Sequence, residues 1–103
     1  MENDFLWLQK WFFNQCDGDW EHGNNIHITT LDNPGWSISI NLENTELEDK
    51  EFQKIKTDRS DNDWFICFIK DNRFEGRCGP MNVLEVLKNF RLWVEQHSKI
   101  SGS

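Results

Sequence analysis

Hydrophobic spacing divides the chain into two helices and a set of strands. Residues 4–15 read DFLWLQKWFFNQ, with Phe5, Leu8 and Phe12 at the i, i+3, i+7 spacing of one helical face. Trp7 and Trp11 form a second stripe, and Leu6 and Phe13 lie between the two. The pattern predicts a helix with a wide apolar surface, buried on more than one side. Asn3 or Asp4 is placed to cap its start, and Asp17-Gly18 to stop it, the glycine being free to adopt a left-handed cap.

The period then changes from helical spacing to strict alternation. In residues 25–31, Ile26, Ile28 and Thr30 alternate with His27 and Thr29; in 36–42, Trp36, Ile38, Ile40 and Leu42 alternate with Ser37, Ser39 and Asn41. Such alternation predicts two strands with one buried and one wet face. Asp32-Asn33-Pro34-Gly35 between them reads as a type II turn, with Pro34 and Gly35 at its centre. The acidic run 43–51, ENTELEDKE, predicts a solvated loop or irregular turn.

Residues 52–57 predict a strand with Phe52 and Lys54 on one face, and DRSDND at 58–63 predicts a turn. Residues 64–70, WFICFIK, are apolar on both faces and predict the central strand, covered on both sides. Asp71-Asn72 turns the chain into a short strand around Phe74. Residues 80–97 predict the second helix, with Pro80 at its first position, a stripe of Val83, Leu84, Leu87, Phe90 and Val94, and Val86 and Trp93 flanking it. Residues 98–103 predict a tail without order. The expected fold is α+β: one domain over 1–97, with an antiparallel sheet of four or five strands in a meander and the N-terminal and C-terminal helices packed against one face.

Composition adds what patterning leaves open. The 103 residues carry eighteen acids against eleven Lys and Arg, a net charge of −7, and only 37% are hydrophobic. Six Trp and eight Phe nevertheless supply a core, since each aromatic side chain buries roughly 150–250 Å². That excludes an acidic disordered tail. No apolar run approaches the roughly 20 residues of a membrane span. Glu2 and Asp4 stand where a secretory leader carries its basic start. Three widely spaced cysteines, Cys16, Cys67 and Cys78, are not a disulfide framework, and the expected location is cytoplasmic. Residues 1–51 hold eleven acids and two bases, whereas 52–103 are mildly basic. The first half is the opposite of a nucleic-acid footprint. A basic protein partner fits it better.

The densest chemistry is Cys16-Asp17-Gly18-Asp19-Trp20-Glu21-His22. As an enzyme site it would pair Cys16 with His22 as base; as a metal site it would use Cys16, His22 and His27. Neither spacing is a known signature, and a thiol at a helix C-terminus faces the negative end of the dipole, which weakens it as a nucleophile. The competing reading is structural, with the aspartates shaping a turn and Trp20 packed. The two glycines of Arg73–Pro80 precede a helix but lack the spacing of a nucleotide loop.

Trp7-Leu8-Gln9-Lys10-Trp11-Phe12 followed by Cys16–His22 resembles the N-terminal signature of the immunity protein 53 family, and Leu31-Asp32-Asn33-Pro34-Gly35-Trp36 resembles its second block. Asp63-Trp64, Phe74 with Gly76, and Leu84 with Phe90 and Trp93 are similar to its later pattern. The resemblance implies an immunity protein of a bacterial polymorphic-toxin system, a non-enzymatic inhibitor that needs no cofactor or metal and binds a co-encoded toxin. An acidic inhibitor suits a toxin with a basic groove, such as a nuclease. The expected partner surface combines loop 17–23 with the run 43–51, presenting Asp17, Asp19, Glu21, His22, Glu46, Glu48 and Asp49, with Trp20 as an anchor if its ring is exposed. The alternative surface is the open sheet face at Ser37, Ser39 and Asn41. The chain is expected to act as a monomer without nucleic acid or membrane; the alternative function is a thiol enzyme or metal-binding domain built on Cys16 and His22.

Overall fold

The computed structural model describes residues 3–102, with side chains through His97. Met1, Glu2 and Ser103, which the sequence reading assigned to the domain and its tail, lie outside them. Helix α1 spans Asp4–Gln15, as its periodicity predicts; Asn3 is its cap, accepting the Leu6 N–H at 2.7 Å. Cys16 ends it in extended backbone, and Gly18 takes its positive φ of 94° two residues later, beyond the cap position.

Strands β1 (Ile26–Leu31) and β2 (Gly35–Asn41) form the expected hairpin. Its turn differs. The Asn33–Pro34 bond is cis, and Gly35 has no positive φ but opens β2. Glycine is required there because a Cβ would collide with the carbonyl oxygen of Cys78 on the neighbouring strand.

The chain then crosses to the far edge of the sheet. β3 runs Ile55–Ser60, later than the predicted 52–57, and extends into the segment expected to turn. Phe52 stays outside the strand, packed against Phe74 and Trp93 with ring centroids 5.4 and 5.1 Å away. Arg59 pairs with Asp63 at 3.0 Å and with Glu85 at 2.7 Å, so the turn shrinks to Asp61-Asn62. β4 (Asp63–Lys70) and β5 (Arg73–Cys78) complete one antiparallel sheet in the order β1-β2-β5-β4-β3. The central strand is therefore β5, not 64–70. Its inner face holds Phe74, Gly76 and Cys78, all buried, and its outer face Arg73, Glu75 and Arg77. The outer residues of β4, Trp64, Ile66 and Phe68, are half-buried, and among the described residues no helix covers them.

Helix α2 spans Val83–Gly102. Pro80 and Met81 form a turn before it rather than its first positions. The buried Asn82 organises the start: its Oδ1 accepts the Trp64 N–H, and its amide donates to Asp63 and Glu85 at 2.9 and 2.6 Å. The backbone of 98–102 continues the helix, which was expected to end at 97.

Both helices lie on one sheet face. Phe90 is fully buried between Trp7, Trp11, Phe74 and Trp93. Two expected stripes shift. Leu84 is 55% exposed while Val86 and Trp93 are buried, and on α1 Leu6 and Phe13 face solvent, so α1 is buried on one side only. The apolar stripe is wider than the contact each helix makes.

Candidate functional site

Two loops meet at one end of the molecule, and tryptophans hold them there. Asp17 closes the first loop: its Oδ1 accepts the N–H groups of Asp19 and Trp20 at 3.0 and 2.9 Å, which holds its carboxyl below the usual carboxylate range, the Trp20 amide contributing most. Glu21 reaches back to accept the N–H groups of Asp17 and Gly18. A short 3₁₀ turn, Trp20–His22, follows. The indole of Trp20 is buried, 8% exposed, against Trp11 and Phe12, and its Nε1 donates to the Glu43 carbonyl at 3.0 Å.

The second loop is the crossing between β2 and β3. The run 43–51 within it was expected to be solvated, yet Leu47 is completely buried; Leu42, expected on the buried face of the strand, is buried just beyond the end of β2. Two more indoles bind it: Trp11 Nε1 donates to Glu46 Oε2 at 3.1 Å, and Trp93 Nε1 to the Glu51 carbonyl at 2.8 Å. Glu48 accepts from the Asn44 N–H and the Asn72 amide, and Asp49 holds a φ of 65°.

The structure thus brings together the two segments named from sequence and sorts their residues. Asp17, Asp19, His22, Glu43, Glu46 and Asp49 are exposed, and Glu21 and Glu48 half-buried. Trp20 fails the condition set for it, because its ring lies in the core and cannot anchor a partner. The structural reading of this segment holds for Asp17, which shapes the turn, and for Trp20, which packs; sequence reasoning missed that the carboxylates of Glu21, Glu46 and Glu48 also hold these loops. Asp17 and Glu21, at Asx-turn and return spacing within one loop, were the detectable signal. The surplus of tryptophan, suggestive of a binding surface, is largely spent on the core and on these staples.

The alternative chemistry finds little support in the geometry. Cys16 Sγ donates to the Phe12 carbonyl at 3.4 Å, and partial burial, with the charges of Glu21 and Asp17, raises its pKa. Among the described residues, no group of three or more His, Cys, Asp or Glu side chains could hold a metal ion, so Cys16, His22 and His27 are not gathered. Burial pushes the Cys67 thiol up to about 12 and the Cys78 thiol up to about 11. A thiol reagent at neutral pH is therefore expected to modify Cys16 slowly, faster as pH rises and its thiolate forms, and to spare Cys67 and Cys78 until denaturant is added. Three equally fast thiols in the folded protein would contradict this packing.

On the open face of the sheet, Ser39 Oγ donates to Glu75 at 2.8 Å and accepts from Arg73 Nε at 2.7 Å, while Arg77 pairs with Glu75 and stands over the Phe68 ring. Among the described residues no helix is long and apolar enough to cross a membrane.

These features define a small α+β domain in which two acidic loops are pinned to an aromatic core. A family model described as Immunity protein 53 matches residues 5–95, and the chain belongs to that family. No curated protein and no solved structure matches it.

Proposed function

We propose that this chain neutralises a cognate polymorphic toxin by stoichiometric protein–protein association in the cytoplasm, as a monomer and without catalysis, cofactor, nucleic acid or membrane. Membership of the immunity protein 53 family carries this reading. The surface proposed for the contact is the acidic end formed by loop 17–23 and the run 43–51, where Asp19, Glu43 and Asp49 project into solvent. Opposite charge accelerates encounter with a basic groove, such as that of a nuclease, and suppresses wrong partners.

The test is co-expression with the toxin domain encoded beside this gene, which is expected to give a 1:1 complex and restored growth. Absence of a complex with that domain would overturn the proposal. Asp19→Lys with Glu43→Lys leaves every side-chain acceptor described above in place. It is expected to slow association about tenfold at low salt and to lose that effect as salt screens it, with dissociation little changed. An unchanged association rate would move the interface away from this end. Thiol chemistry at Cys16 would instead show as loss of protection in Cys16→Ser with stability intact.

A further inference from the structure

The two edges of the sheet are not alike. β3 is guarded against pairing: it carries Lys56, Asp58 and Arg59, and its register shifts between Asp58 and Ser60. β1 has six regular residues with no Lys, Pro or register shift, and among the described residues it pairs only with β2. The direction of its free backbone groups follows from the ladder. The Asn41 N–H donates to the Asn25 carbonyl, and the register that sets Ile26 opposite Ile40 sets these two residues opposite each other. Hydrogen-bonded pairs alternate along an antiparallel ladder. His27, Thr29 and Leu31 therefore bond to β2, and the N–H and C=O groups of Ile26, Ile28 and Thr30 point away from the sheet.

Those same residues turn their side chains to the inner face, opposite Ile40, Ile38 and Trp36. There α1 packs on α2 and leaves a groove beside β1 of about 490 Å³, walled by Phe5, Leu8, Phe12, Ile26 and Ile28, with Glu21 at its rim. Phe5 is 46% exposed in it. The groove opens beside the acidic loop that carries Asp17 and Asp19.

We propose that β1 and this groove take up an extended segment of the toxin as a sixth strand of the sheet. The segment fitted by this chemistry has alternate apolar side chains, which enter the groove, and basic residues at the end that meets Glu21, Asp17 and Asp19. Main-chain bonds to Ile26, Ile28 and Thr30 supply affinity, and the groove and the charges supply selectivity. The inference rests on the toxin-binding reading above and names where on the molecule the contact is made.

The test uses the full chain and the toxin domain encoded beside its gene. In the complex, amide exchange at Ile26, Ile28 and Thr30 is expected to slow by about tenfold or more, whereas His27, Thr29 and Leu31 are already protected in the free chain. Thr30→Pro removes one outward N–H and leaves the β2 ladder intact; it is expected to weaken binding about tenfold, the worth of one main-chain hydrogen bond in a closed interface. Phe5→Lys, at an exposed groove wall, is expected to weaken it at least as much with the melting temperature preserved. If the parent chain binds the toxin and neither variant nor the exchange pattern responds, the strand inference falls and the toxin-binding reading stands. If the parent chain does not bind, both fall. Concentration-dependent protection of the same amides in the chain alone, with a dimer mass in solution, would make a second copy the occupant and overturn the proposal.

Discussion

Phe90→Ala is expected to cost about 3–5 kcal/mol of stability. The ring is fully buried, and its centroid lies 5.0 Å from that of Phe74, 5.1 Å from Trp11, 6.0 Å from Trp7 and 6.3 Å from Trp93. These neighbours belong to α1, β5 and α2, so the cavity opens where both helices meet the sheet and no single element can collapse into it. A domain of this size holds only about 5–15 kcal/mol in total. Thermal or urea denaturation should therefore show a fall in Tm of more than about 10 °C. A loss below about 1 kcal/mol would mean that the helices repack without this ring.

Trp20→Ala is the second large effect, and it separates core from interface. Truncating a buried Trp costs about 3–5 kcal/mol, and here it also removes the indole hydrogen bond that ties the Glu43 carbonyl to the core. The expected outcome is a protein that melts far lower, with partner binding lost only as the fold is lost. Trp20→Phe keeps most of the packing and should recover more than half of the stability. Were Trp20 a contact residue instead, the alanine variant would melt normally and release the toxin faster. Measuring stability and dissociation on the same samples distinguishes the two.

The contrast between Trp11 and Trp20 shows what a sequence discloses. Periodicity in 4–15 located α1 to the residue, because Leu8, Trp11 and their neighbours obey one local rule. The alternation of Ile26, Ile28, Ile38 and Ile40 likewise assigned faces to β1 and β2. Alternation assigns faces but not neighbours, however. β5 occupies the centre with only Phe74 as a large apolar residue, because Gly76 admits Val86 of α2 against its backbone and Arg73, Glu75 and Arg77 pair among themselves on the open side. Nothing within RFEGRC announces that. DRSDND reads as a turn because its partners, Glu85 on α2 and the facing strand, lie far off in sequence or depend on the register. Trp20 is the same case in the candidate site. It sits among acids, where the sequence leaves a packed and an exposed ring both open, and its burial depends on Trp11 and on Glu43, 23 positions away. The positions of the acidic residues were legible; their double duty as turn-closing acceptors was legible only within a single loop.

Of the three indoles that bind the loop between β2 and β3, those of Trp20 and Trp93 grip main-chain oxygens, at residues 43 and 51, and only that of Trp11 grips a side chain, at Glu46. A carbonyl is the same acceptor whatever residue bears it. The scaffold therefore places few demands on side-chain identity at positions 43 and 51, while position 46 must keep an acceptor, a need glutamine would also meet. A lineage facing a changed toxin could recode the chemistry displayed at 43 and 51, even reversing its charge, without retuning the core that holds the display in place.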